Sequence, residues 1–390
     1  MNFLKTLSSH YKGCDPWRQK AWALFRSKGL PTKKWEAFRH VPLKALYETT
    51  FSPVERGEAP AIQGRRDSCI FVNGIFRDEL SQLDEVICLP LTRAVHSYGL
   101  LLQKSWSHML GEETNPFHLL NHALFEEGLF LYVAPRVQTN IEWSFLSTKS
   151  NQIHTPKIEI YLGEEAHLTI RSHVSGEEQY WHNESLSISL ARGARLFLEE
   201  RLSHPHDAWG FHTKRVRLKE GARFQCKTLS RGAKVERHDI EVILAGEGSE
   251  VDLKGLSLIA KRSEIHHHLF VKHEKPHTLS NQHYKTVLQD SAHSSFEGKI
   301  YVAKMAQKTK AYQLNNNLLL SPKARARSNP NLEIMADDVK ATHGATSTQP
   351  KADEIFYFMS RGLNKKEAKC HLIKGFCREL FSDEAIDANF

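Results

Sequence analysis

The chain has 390 residues, 40% of them hydrophobic and 25% charged: enough for two or three domains around a substantial core, and too apolar for intrinsic disorder. A formal charge of +8 suits an anionic partner, but the 53 lysines and arginines form no basic tract, so nucleic acid is not indicated and an acidic protein surface fits at least as well. The six cysteines, at 14, 69, 88, 226, 370 and 377, make no CxxC pair, the N-terminus lacks a signal-peptide core, and no apolar run nears the ~20 residues that span a bilayer, so a reducing cytoplasm and no membrane are expected.

Residues 1–145 read as a mostly helical domain. Asp15-Pro16 is an N-cap followed by proline at the first helical position. Trp17, Ala21, Leu24 and Phe25 then share one face, and Gly29 with Pro31 stops the helix. Another helix starts at Asn115-Pro116, carries Phe117, Leu120 and Leu124, and is expected to end near Gly128. Between them, Cys69-Ile70-Phe71-Val72 before Asn73-Gly74 suggests a short strand and turn.

Residues 146–345 carry an internal repeat. Ile158, Ile160 and Leu162 alternate with polar residues. The phase returns 28 residues later at Leu186, Ile188 and Leu190, after 28 more at Lys214, Val216 and Leu218, and after 26 more at Ile240, Val242 and Leu244. Small turns follow each time: Gly-Glu-Glu-Ala166, Ala-Arg-Gly-Ala194, Lys-Glu-Gly-Ala222 and Ala-Gly-Glu-Gly248. A second alternating strand comes next, with Leu168 and Ile170, Leu196 and Leu198, Phe224 and Cys226, Val251 and Leu253. Alternation means that each strand buries one face, and a fixed period means that each unit stacks on the next. The expected core is a right-handed parallel β-helix (β-solenoid), mainly β in class and flanked by N-terminal and C-terminal helical domains. A sandwich is the main alternative, because periodicity alone does not fix pairing partners. The phase makes Cys226 an inward core residue and puts Lys214 at a strand edge, its stem packed and its charge in water.

Residues 346–390 read as a helical hairpin. Ile355, Phe358 and Met359 mark an inward face that closes at Gly362, leaving Tyr357 and Arg361 exposed. Asn364 caps the second helix with Glu367 at the capping-box position, and Leu372, Ile373, Phe376 and Leu380 form its apolar face.

Several polar runs compete for attention. His266-His267-His268, followed by His273, His277 and His283, looks like a metal tract, but alternation sets His267 on the face opposite His266 and His268, where three ligands do not converge. Asn315-Asn316-Asn317 suits a side-chain ladder between stacked coils. Asp337 and Asp338, read as strand neighbours, would point to opposite faces, so at most one shares a site with His343. There is no GxxxxGK[ST], GxGxxG or GxSxG run, hence no evident means of binding ATP.

Residues 331–346, Asn-Leu-Glu-Ile-Met-Ala-Asp-Asp-Val-Lys-Ala-Thr-His-Gly-Ala-Thr, resemble the signature of the SufB/SufD family of iron–sulfur cluster assembly scaffolds. Gly29 to Leu43, Ala311-Tyr312-Gln313 onward, and Phe356 to Gly362 resemble further motifs of that family, with Phe38 where tryptophan is more usual. Trp35 and Phe38 themselves read as packing residues. Gly344 stands where SufB-type sequences carry glutamate, so the resemblance is to the SufD type. It implies a non-enzymatic, cytoplasmic scaffold subunit that pairs with a SufB-like subunit through the last coils and with the SufC ABC-type ATPase through the C-terminal hairpin at Tyr357 and Arg361. It places His343 at the SufB-facing interface, as a relay for iron or cluster and a metal ligand shared with the partner. Position 341 is alanine where the family usually has cysteine, so thiolates would come from the partner. No cofactor is then bound tightly by this chain alone. Iron or a nascent cluster passes transiently at the SufB interface, and a homodimer is conceivable in isolation. The competing classes are a β-helix carbohydrate-active enzyme and a self-associating structural solenoid.

Overall fold

The computed structural model describes residues 2–13, 15–54, 56 and 67–382; Cys14 and the segment 383–390 lie outside the described residues. Among the described residues no helix is long and apolar enough to cross a membrane.

The helix Pro16–Lys28 begins where the Asp15 carboxylate accepts the Trp17 and Arg18 amides at 3.0 and 2.9 Å, and it ends at Gly29. The helix Pro116–Leu124 is buried along its whole length. It stops at Leu124, short of Gly128, because Phe125 already has extended backbone (ψ 134). Helix side chains Phe25, Phe38 and Phe117 pack against Trp181, Trp209 and Phe211 on the outer face of one solenoid sheet. Phe38 is thus a packing residue, with the Arg237 guanidinium 4.2 Å from its ring centre.

The repeat is the hydrogen-bond register of a parallel β-solenoid of about eight turns. Ile158 pairs with Leu186, Leu186 with Lys214, and Lys214 with Ile240; Ile160, Ile188, Val216 and Val242 follow two residues on. In the opposite sheet Leu168, Leu196, Phe224 and Val251 form the matching column. Each turn places one residue in the left-handed region: Glu165, Gly193, Gly221 and Gly248, at φ 57–67°. Glycine is favoured there because it carries no Cβ penalty. The next residue, Ala166, Ala194, Ala222 or Ser249, is wholly buried. Parallel strands also appear before residue 146, since Leu129–Val133 and Gln138–Ser147 build the first coil and Ser68–Val72 pairs alongside. The last strand, Val339–Thr348, runs beyond residue 345.

One interior position departs from expectation. Lys214 does not reach water: it is 0% exposed, with Nζ 2.9 Å from Glu200 Oε1. Its pairing with Leu186 and Ile240 puts it on the inward face, and Glu200 on the other sheet supplies the counter-charge. Burial opposes the Lys214 charge, but Glu200 raises its affinity for the proton overall. The Thr228 hydroxyl donates to the same carboxylate at 2.7 Å. Cys226 lies next to this pair, in the column of Ile170 and Leu198, and its thiol is held protonated by burial and by Glu200.

The C-terminal hairpin comprises Ala352–Ser360 and Lys365–Cys377, with Gly362 at φ 91 between them and the Asn364–Glu367 capping box in place. Ile373, Cys377, Leu380 and Phe381 cover Leu229, Leu256, Leu258 and Val287 on the outside of the solenoid. Lys285 Nζ ties the two together, 2.8 Å from the Phe376 carbonyl and 2.6 Å from Glu379. Met359 is exposed and not inward, because the first helix packs mainly on the second, where Phe358 stacks on His371.

The buried pair makes a clear prediction. Glu200→Ala leaves an unpaired ammonium in the core and should cost about 3–5 kcal/mol, whereas Glu200→Leu with Lys214→Met should recover most of that loss. Urea unfolding of the two variants measures the difference.

Candidate functional site

The two sheets end at Arg325–Ile334 and Val339–Thr348, and among the described residues no further strand pairs with either. The last coil therefore offers two unsatisfied strand edges, a template for a second chain. Ile334 and Met335 beside it are 37% and 48% exposed.

Asp337 and Asp338 form the bend between these strands and are not strand residues. The Asp338 amide donates to Gln307 Oε1 at 2.9 Å and its carbonyl accepts from the Lys308 amide. The opposite-face argument thus fails for a simple reason: the backbone turns there. Both carboxylates are exposed.

His343 lies on the final strand, in register with Gln313, and is exposed. Among the described residues it makes no side-chain hydrogen bond. It ends an interior column that runs Cys226, Leu253, Gln282, Gln313, His343 through successive coils. Gln313 Nε2 donates to Gln282 Oε1 at 2.9 Å. The next columns carry Asn315 and Asn317, and the Asn317 amide donates to Asn315 Oδ1 at 2.9 Å and to Ser347 Oγ at 3.4 Å. The solenoid interior thus becomes an amide and hydroxyl lattice towards the open end, and His343 stands at its mouth. Ala341, in register with Ala311, supplies no thiol beside it.

The histidine tract does not converge. His267 is buried inside, between His238 and Tyr284 at ring separations of 5.0 and 4.8 Å. His266 meets Ser295 at 2.7 Å, and His268 meets Asp239 at 3.3 Å. His273 bonds Thr278 and Ser280, His277 is a turn residue at φ 58, and His283 meets Asn316. On the first hairpin helix Tyr357 is 56% exposed, with the Arg361 guanidinium 5.5 Å from its ring centre; Phe356 is 71% exposed beside them.

Residues 145–376 match the family model described as "SUF system FeS cluster assembly, SufBD core domain", and residues 5–142 match "SufBD protein N-terminal region". The chain belongs to the SufBD family. It is 29% identical to the iron-sulfur cluster assembly protein SufD of Escherichia coli K12, over 90% of this chain and 85% of that protein. It is 27% identical to an iron-sulfur cluster assembly SufBD family protein of Synechocystis, over 93% and 86%. A SufBD family protein of the alga Porphyra purpurea is 23% identical over 79% and 66%. Within the SufBD family the chain is SufD-like.

The sequence reading overlooked a second group of polar residues inside the solenoid: His182 and Glu184, then His212, then Glu236 and His238. The repeat was the available signal. Glu184, His212 and His238 recur at the same 28- and 26-residue intervals as the apolar phase, and they pair in register. With so many imidazoles buried, stability depends on pH. Burial lowers His154 and His273 to about 3, from about 6.5 when unfolded. Below pH 6.5 the unfolded chain binds protons that the native chain refuses, so stability falls as pH falls, until the folded values are reached. Urea midpoints should drop between pH 7 and 5, and His273→Gln should flatten that slope by up to one proton, about 1.4 kcal/mol per pH unit.

Proposed function

We propose that this SufBD family chain is the SufD-type subunit of a cluster-assembly scaffold. It pairs with a SufB-like subunit through the open last coil and with the SufC ATPase through the exposed first helix of the C-terminal hairpin. The observation that carries this reading is His343: an exposed imidazole with no side-chain hydrogen bond, on a coil edge that no other described strand pairs. A like-built solenoid end can extend both sheets across the junction by edge pairing. Such a junction would enclose His343 between the two subunits. Iron or a nascent cluster is the cargo there. The imidazole is a ligand suited to ferrous iron and the thiolates come from the partner, because Ala341 provides none and Cys226 is buried and protonated.

The hairpin links nucleotide state to the solenoid. Phe356, Tyr357 and Arg361 present an aromatic and guanidinium patch of the kind that anchors interfaces, while the second helix is fixed to the solenoid through Lys285. Movement of the ATPase on the first helix is then conveyed to the coil stack. The scaffold itself performs no bond chemistry in this scheme. A carbohydrate-active reading is disfavoured because the clustered carboxylates Glu184, Glu200 and Glu236 are buried, where a polysaccharide has no access.

Two measurements test the proposal. In His343→Ala, the complex isolated with its native partners should keep its composition but lose most of its iron and sulfide on anaerobic analysis. Wild-type cluster content would rule out the chemical role, and loss of the complex itself would make His343 an interface residue instead. Separately, Phe356→Ser with Tyr357→Ala should weaken ATPase capture at least tenfold at unchanged melting temperature, since both side chains are exposed. Unchanged capture would remove the docking assignment. Point variants serve better than deletion of 350–390, which would uncover Leu256, Leu258 and Val287.

A further inference from the structure

Inside the coils, far from the open end, two imidazoles and a carboxylate converge. His182 Nε2 lies 3.2 Å and His212 Nδ1 3.1 Å from the same oxygen, Glu184 Oε2. All three ligand atoms fall within 4.8 Å of one another. The residues are 2%, 0% and 3% exposed for His182, His212 and Glu184. We propose that His182, Glu184 and His212 form a binding site for a single first-row divalent metal ion in the solenoid interior, distinct from His343.

Geometry supports the assignment first. Donors about 2.1 Å from one ion are separated by roughly 3.0–3.4 Å along the edges of an octahedron or tetrahedron. Both nitrogen–oxygen separations fall in that interval, and with the two ring nitrogens within 4.8 Å of each other, approach of the rings completes the set. Donor chemistry comes second. Two histidines with one carboxylate leave coordination positions open and suit ferrous iron, with zinc or cobalt as substitutes. The Glu184 carboxylate is already aimed at both rings, since one oxygen is the shared hydrogen-bond partner of His182 and His212.

The surrounding shell is built as a metal site requires. A ligating imidazole normally uses its second nitrogen to hold an outer partner. His212 Nε2 meets His204 Nε2 at 3.1 Å, and His204 Nδ1 meets the Tyr180 hydroxyl at 3.0 Å. Room for His204 exists because residue 210, the coil neighbour of His182, is glycine: a Cβ there would come within 2.7 Å of His204 Nε2. The site straddles two strands that lie five and four coil steps before the last coil on their sheet, roughly 19–24 Å along the stack at ~4.8 Å per step. Its occupancy therefore does not depend on the partner proposed for the open end.

The alternative is a metal-free network in which both imidazoles donate to Glu184. The experiment uses the full chain without a histidine tag, isolated by conventional chromatography and dialysed against chelator, then analysed for iron and zinc by plasma mass spectrometry. Because the ligands are enclosed, the chain is also refolded from urea with excess Co(II), and visible d–d absorption is recorded. We expect close to one ion per chain by either route, at least a fivefold loss in both Glu184→Gln and His182→Gln, and full retention in His343→Ala. His204→Phe should weaken retention about 10–100-fold while leaving the three ligands in place. Background metal in the refolded wild-type chain overturns the proposal. So does equal metal in Glu184→Gln, or loss confined to His343→Ala, which would place the ion at the open end.

Discussion

Every level of this molecule rests on the parallel ladder that joins each coil to the next. A lone coil buries neither its apolar side chains nor its backbone polar groups, so stability accrues only by stacking. The ladder also dictates what stacks: a position at one register meets its equivalents above and below and little else. Apolar columns near the turns run through Ile160, Ile188, Val216 and Val242, and polar columns follow the same rule, with Glu184, His212 and His238 four residues earlier on their strands. Once Glu184 is placed inside, the register delivers His212 and His238 beside it.

The two ends of the stack are treated differently. At the first coil, Ser68–Val72 with Ile75–Phe76, and Leu129–Val133 with Ile87–Pro90, finish the sheets with antiparallel strands. The helical domain seals the adjoining outer face and is pinned by charge: Arg215 reaches Glu113 at 2.8 Å and Asp239 at 2.9 Å. At the last coil nothing comparable is present among the described residues. An edge so exposed invites aggregation unless it has a purpose, and the polar interior behind it is suited to a wet junction.

Much of this was legible in the sequence. Period-2 alternation repeated at 28 residues gives strands, an inward face and stacking, and those three facts nearly determine the solenoid. Cys226 fell into place by phase alone. Lys214 obeyed the same phase, but the expectation that a lysine seeks water overrode it; Glu200, 14 residues earlier on the other sheet, is invisible to a one-strand pattern. Asp337 and Asp338 misled because a bend and a strand of equal polarity look alike in one dimension. Met359 misled because helical spacing reveals an apolar stripe without saying what covers it. The His182 cluster went unread because its members are spread over two coils and become neighbours only through pairing. His343 was found through a motif, and the structure adds its surroundings: an uncapped edge and an amide-lined interior.

The ladder also makes the molecule's length a discrete quantity. Inserting or removing one whole repeat at the turns near Gly193 or Gly221 would preserve every inward column and both ends, and would shift the His343 edge along the stack axis by a single strand spacing, ~4.8 Å. A fractional insertion would rotate polar positions into the apolar columns. Natural or engineered variants of this chain should therefore differ in reach by whole coils, with the separation between the helical base and the open edge set like the rungs of a ladder.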